Sequence, residues 1–395
     1  MNQGPLIACV QDARGCIWVR DGEGLVGWGC AARFEPGPGE DRFERADTFA
    51  RDVLASLPPA DEGGWGTGPV AMGSFTFDPD VDGSVVIVPD VMLARRGGRS
   101  WLTAVGPRPA AHLDPVHPRP PDRVRYAGTT QSELSWIDAV ASAVDRIGRR
   151  ELHKVVLARD VVVWSEEALD ARALALRLAH RFPSCFTFHC EGLIGATPEL
   201  LVRRRGDAVE SLVLAGTARR GADRMEDDAL GAALLASEKD VSEHRMAVAS
   251  IETRLDEVCE RVSVQERPAL LKLENVQHLA TQIRGRLSAP LSSLRLAGLL
   301  HPSAAVCGTP TGAALGAIRS LEDMSRDRYA GPVGWMDARG DGEWGIALRC
   351  ALLDGTQARL FAGAGIVRGS LPEAELEETR LKLRAMQSAF GDGAR

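Results

Sequence analysis

Strand-like and helical runs interleave along this chain without the regular strand–helix–strand alternation of a doubly wound sheet. That pattern favours a mixed α+β fold with two packed, largely antiparallel β-sheets and helices on the outside. Residues 331–367 (GPVGWMD, EWGIALRCALLD and ARLFAGAGIV) read as three successive strands. Near the start, residues 16–33 read as a hairpin around Asp21-Gly22-Glu23-Gly24, and 41–57 suit an amphipathic helix. SVVIVP and SWLTAV within 85–105 are strand-like. The proline-rich stretch 107–123 has neither period and reads as a connecting surface loop rather than a hinge. Beyond Ser132 the chain is denser in regular elements: a helix over 132–149, a strand over 154–164, a helix over 167–180, and strands in 186–196 and 211–217. A long helix is expected over 226–262, a strand-like run over 271–287, and a last helix over 372–390.

Composition narrows the classes of function. The net charge of −7 argues against a nucleic-acid or anionic-membrane binder, which needs a basic face. No apolar run approaches membrane-spanning length, and Met1–Val10 does not read as a signal peptide. The eight cysteines are scattered with no C-x-x-C, which disfavours a zinc site or redox dithiol. They read as reduced thiols of a cytoplasmic protein.

Two acidic pairs, Asp240/Glu243 and Glu375/Glu378, share an i,i+3 spacing that sets both carboxylates on one side of a helix. Each pair lies eight and five residues ahead of an apolar ladder, Val248–Ile251–Leu255–Val258–Val262 in the first case and Leu383–Met386–Phe390 in the second. On the flank of a buried stripe a charge needs a partner. Two such pairs facing each other make a hard, all-oxygen site suited to Mg²⁺. Solvated helix faces are the simpler explanation, supported by the i,i+4 pair Glu378–Lys382.

Other candidates stand alone and each has a plain structural reading. Lys154, in HKVVLARD, is either a strand-edge lysine or a general base, the latter requiring desolvation or a nearby cation. Glu199, in GATPELL, is either a turn acid or a general acid in apolar surroundings. Arg349, in GIALRCALL, shares a strand face with Ala347 and Ala351 and is either one half of a buried ion pair or a fork for a substrate carboxylate. The glycines of AGAGIV (362–367) let backbone N–H groups approach an anion. His278 and His301 lie near these segments, but no histidine pair has zinc spacing, and no phosphate-binding P-loop motif is present.

Taken together, KVVLAR, GATPELLV, LAGTARRG, SEKDVSEH, ENVQHLATQIRG, HPSAAVCGTP, YAGPVGWMD, GIALRCAL, FAGAGIV and ELEETRLK resemble the chorismate-utilising enzymes, in that family's order over about 125–390. The part before residue 125 matches more loosely, mainly through GSFTFDP (73–79), and the whole of 1–395 is expected to form one catalytic domain. The resemblance implies that Mg²⁺ holds the ring carboxylate of chorismate, with Glu243 and Glu375 as ligands and Asp240 and Glu378 acting directly or through water. It implies that Arg349 with Gly363, Ala364 and Gly365 clamps the enolpyruvyl carboxylate, and that Gly216, Thr217, His278, Ala305 and Lys382 also bind substrate.

Two positions choose the branch. Ammonia-using relatives carry glutamine where this chain has Lys154, and aminodeoxychorismate-type relatives carry lysine where it has Ala215. The resemblance is therefore to the water-using members: Lys154 would deprotonate water attacking C2, and Glu199 would protonate the departing C4 hydroxyl. The implied activity is reversible isomerisation of chorismate to isochorismate. A salicylate synthase, which goes on to eliminate pyruvate, is the alternative, and a non-catalytic chorismate-binding homologue is the alternative of another class. No glutamine amidotransferase segment is seen and no such subunit is expected; the family's habit implies a monomer. The compact length leans toward the siderophore-type members rather than the longer menaquinone-type ones.

Overall fold

Two antiparallel sheets take up the strand-like runs in a computed structural model that describes residues 5–58, 64–105 and 114–391. Among the described residues the first sheet has eleven strands. Towards one edge Lys154–Trp164 pairs along its length with Gln357–Ile366, followed by Cys350–Asp354, Leu193–Thr197, Phe186–Cys190 and Cys16–Arg20. The second sheet has ten strands, with Val276–Leu287, Ala208–Arg219, Leu200–Arg205, Gly342–Ile346, Pro332–Asp337 and Val70–Ser74 in succession. Strands from before residue 125 enter both sheets: Cys16–Arg20 joins the first and Val70–Ser74 the second. Trp18 Nε1 donates to Glu343 Oε2 at 3.0 Å, a buried bond that runs from one sheet to the other.

Lys154–Trp164 forms where the sequence places it because Val155, Val156, Val161, Val162 and Val163 suit a pleated surface. The last helix also keeps its expected bounds, Pro372–Phe390. Proline sits in its first turn, Glu373 and Glu375 lie at the positive end of the helix dipole, and Leu383, Met386 and Phe390 are buried. It packs on Gln357–Ile366, while Glu238–Asp256 packs on Ala208–Arg219.

Several expected elements differ. The single helix over 226–262 is two helices and a strand: Arg224–Ala236, Glu238–Asp256 and Cys259–Val264. Ser237 breaks it, because its side chain accepts from Asp240 N–H and caps a new helix. Val258 and Val262 therefore lie beyond the helical ladder. Leu200–Arg205 and Val91–Arg96 are strands that were not foreseen, and 271–287 is divided between Ala269–Lys272 and Val276–Leu287. The helix expected from 167 starts at Ala171, where Asp170 caps it. Of the proline-rich connector, 107–113 lies outside the described residues; the rest is irregular and held by Val116 N–H to Ala8 O at 2.8 Å.

The run GIALRCALL is not one strand. Gly342–Ile346 belongs to the second sheet and Cys350–Asp354 to the first, and Ala347–Arg349 carries the chain across. Beside it the chain crosses the other way, from Leu193–Thr197 through Pro198 and Glu199 into Leu200–Arg205. The two crossings are bonded together, Ala196 N–H to Arg349 O at 3.2 Å and Ile346 N–H to Glu199 O at 3.4 Å.

Candidate active site

These adjacent crossings put Glu199 and Arg349 side by side in the wall of one cavity, where the two sheets separate. Arg349 has a positive φ of 48°, a left-handed conformation that a non-glycine residue adopts at some cost. The cavity encloses about 660 Å³ of empty space including its open mouth, in the range of small-molecule sites. Its lining includes Gly216, Thr217, Glu243, His278, Ala305, Gly363, Gly365, Glu378 and Lys382. The fold thus brings together candidate residues from both sheets and both acidic helices.

Lys154 does not itself line this cavity; its side chain is fully buried, next to the lining residue Glu243. Its Nζ lies 3.0 Å from Glu243 Oε1, an ion-pair distance, but at an angle that makes no hydrogen bond. Gly365 makes the arrangement possible: a Cβ there would fall 2.0 Å from Glu243 Oε1 and 3.3 Å from Lys154 Cε. Glu199 is buried, and burial raises its carboxyl to about 8 against the opposing charges of Lys154, Arg349 and Lys382. At neutral pH it is a protonated acid.

Arg349, His278, Thr217 and Gly216 form a hydrogen-bonded chain. Arg349 donates from a terminal guanidinium nitrogen to His278 Nε2 at 3.1 Å, and His278 Nδ1 meets Thr217 Oγ1 at 3.1 Å and Gly216 O at 3.3 Å. Burial first, and then the charges of Arg349 and Lys382, keep His278 neutral. Arg349 Nε is buried without a partner, and among the described residues no carboxylate pairs with this guanidinium. Lys382 donates to Gly363 O at 2.9 Å and pairs with Glu378 at 2.5 Å. Ala364, between the two glycines, does not line the cavity; it packs in the core.

One lysine links the two acidic helices. Lys239, on the same helix as Glu243, pairs with Glu375 of the C-terminal helix at 2.8 Å. Glu243 and Glu378 line the cavity, while Glu375 is buried beside it, its carboxyl raised by burial and by Glu378. Asp240 accepts from Ser237 Oγ at the helix start and lies against Gly216. Among the described residues no three His, Cys, Asp or Glu side chains are gathered to hold a metal ion. The donor chemistry nonetheless fits Mg²⁺ in kind, since all donors are carboxylate oxygens, while Glu243, Glu375 and Glu378 are each paired with a lysine that a cation would have to displace.

Some lining residues were not singled out from sequence. Tyr329, Val156, Leu214, Val306 and Leu348 also face the cavity, and Lys239 completes the ion pairs. Tyr329 lies in the quoted YAGPVGWMD and Lys239 in SEKDVSEH, so motif membership was the available signal. His301 belongs to the core, its Nε2–H donating to Phe77 O at 2.9 Å. No helix among the described residues is long and apolar enough to cross a membrane.

Comparison with known proteins gives a consistent result. The family model for chorismate binding enzymes matches residues 110–391. The isochorismate synthase DhbC of Bacillus subtilis is 35% identical over 361 residues, which span 82% of this chain and 91% of that protein. A crystal structure of a Bacillus anthracis DhbC, described as a putative 2,3-dihydroxybenzoate-specific isochorismate synthase, superposes with a TM-score of 0.82 at 30% identity, covering 96% of this chain and 97% of that one. MenF of Escherichia coli, described as menaquinone-specific isochorismate synthase, superposes with a TM-score of 0.83 at 26% identity, covering 98% and 92%.

Proposed function

This chain belongs to the chorismate-binding enzyme family, and on that premise we propose that it is an isochorismate synthase, an isomerase that interconverts chorismate and isochorismate. The observation that carries the reading is a cavity walled by the buried, protonated Glu199 and by Arg349, with the fully buried Lys154 paired to a third wall residue, Glu243.

Chorismate carries a ring carboxylate at C1, an enolpyruvyl ether at C3 and a hydroxyl at C4. Lys154, in its neutral form, takes a proton from water as the water oxygen bonds to C2. The diene electrons shift from C1=C2 and C5=C6 to C1=C6 and C4=C5, and the C4–O bond breaks. Glu199 gives its proton to the departing oxygen, which leaves as water. One water enters and one leaves, so substrate and product are isomers. The proton on Lys154 returns to Glu199 through solvent, and the steps run equally in reverse. Burial keeps Glu199 an acid at neutral pH, as its role requires. Arg349 and the backbone of Gly363–Gly365 would hold the enolpyruvyl carboxylate, and Lys382 would add positive charge beside it. Mg²⁺, when bound, would neutralise the ring carboxylate and draw electrons from C2; Glu243 and Glu375 would hold it, supported by Asp240 and Glu378.

Water is the nucleophile, so no ammonia-delivering glutaminase subunit is needed; the expected setting is a cytoplasmic monomer acting on chorismate as one catalytic unit. The reading concerns the reaction rather than its pathway, since the two superposed structures are named for different end products. The test is incubation with chorismate and Mg²⁺ followed by chromatography. Isochorismate is expected; salicylate with pyruvate, or ammonium-dependent anthranilate, would replace the reading.

A further inference from the structure

We infer that His278 is a positioning residue: it fixes the Arg349 guanidinium for the substrate carboxylate and makes no bond to substrate itself. The inference deepens the isochorismate synthase reading and rests on it for the identity of the anion.

The reason is a full hydrogen-bond account of the imidazole. Arginine is only a donor, so the 3.1 Å contact with Arg349 makes His278 Nε2 an acceptor. In a neutral ring the proton then sits on Nδ1, where Thr217 Oγ1 at 3.1 Å and Gly216 O at 3.3 Å both accept. Neither ring nitrogen is left over. A protonated ring would turn an N–H toward the guanidinium, two donors face to face. Burial in the cavity wall opposes that state as well.

The local backbone builds this arrangement. In the pairing of Ala208–Arg219 with Val276–Leu287, Ala215 faces Leu279 and Thr217 faces His278, so Gly216 is an extra residue. It is a β-bulge with φ of +77°, a conformation suited to glycine. The bulge brings Thr217 into register with His278 while still presenting the Gly216 carbonyl to the ring. Across the cavity, Arg349 emerges from the crossing between sheets and has no carboxylate partner among the described residues. His278 is the one side chain among the described residues seen to accept from its guanidinium. Arg349 Nε is left without a partner, ready for an anion.

Two measurements on the full-length enzyme decide the matter. The first is long-range proton–nitrogen NMR of histidine-labelled protein without substrate, with the His278 signals assigned by their loss in His278→Gln. The expected result is a neutral ring carrying its proton on Nδ1; a proton on Nε2, or on both nitrogens, overturns the inference. The second compares His278→Phe, which keeps a planar ring but offers no acceptor, with His278→Gln, whose Oε1 can accept near the place of Nε2. His278→Phe should raise the chorismate KM about tenfold or more, the loss of one charge-assisted bond. His278→Gln should restore KM to within about threefold, and kcat should move less than about threefold in both. Equal KM values in the two variants, or a fall in kcat with KM unchanged, overturns the inference. Product identity in the wild-type enzyme tests the reaction separately, so its failure is distinguishable from failure at His278.

Discussion

Replacing Glu199 by glutamine should stabilise the protein, and increasingly so as pH rises. The carboxyl stands at about 8 in the folded protein against an ordinary 4.5, with burial as the main cause. Below 4.5 it is protonated in both folded and unfolded chains and contributes no pH dependence. Between 4.5 and about 8 the unfolded chain releases the proton while the folded chain keeps it, so stability falls as pH rises. At ~1.36 kcal/mol per pKa unit the whole fall is about 5 kcal/mol, complete above the folded value. Glutamine has nearly the same shape and does not titrate. The variant should match the wild type near pH 4.5 and exceed it by several kcal/mol at pH 8.5, as order-of-magnitude figures. Urea unfolding of both proteins from pH 5 to 9 measures this directly. The same substitution should lower turnover by roughly 10²–10⁴-fold, because it removes the acid. Parallel stability curves for the two proteins would refute the claim that Glu199 is buried and protonated, whatever the effect on turnover.

Lys154→Gln should lose roughly 10²–10⁴-fold in kcat while chorismate still binds, checked by steady-state kinetics and calorimetric titration. Glu243→Ala and Glu375→Ala should each shift the Mg²⁺ activation curve to higher concentration; an unchanged titration would make the acidic pairs solvated faces. Gly365→Ala would set a Cβ 2.0 Å from Glu243 Oε1, and the displaced carboxylate should cost on the order of 10²-fold in kcat/KM with little change in thermal midpoint. Glu322→Ala should destabilise the fold by about 3–5 kcal/mol in urea. It leaves Arg326 as an unpaired buried charge and removes the acceptor of Ala158 N–H on the strand that carries Lys154.

What the sequence made legible was local and periodic. Lys154–Trp164 and Pro372–Phe390 could be read to the residue, because dense β-branched side chains and a proline-started apolar ladder each specify one element. The helix end at Asp256 was missed because Val258 and Val262 prolong a helical spacing that the chain abandons for a strand. Period-two reading failed at Arg349 for a related reason. Alternation assumes a continuous strand, and the chain changes sheets between Ile346 and Cys350. Glu199 lies at the matching crossing, so neither its burial nor its nearness to Arg349 could be seen locally. Family motifs identified most of the cavity lining, but the ion pairs Lys154–Glu243 and Lys239–Glu375 join residues far apart in sequence and needed the fold. The same holds for the chain from Thr217 through His278 to Arg349, which depends on a bulge at Gly216 and on a cross-sheet contact.

In the proposed reaction Lys154 and Glu199 exchange a C4 hydroxyl for a solvent oxygen at C2. A single-turnover reaction of excess enzyme with chorismate in ¹⁸O-labelled water, read by mass spectrometry, tests it most directly. Isochorismate carrying one ¹⁸O, in its C2 hydroxyl, is the predicted product. Unlabelled isochorismate would mean that the hydroxyl moves within the substrate and that Lys154 activates no water.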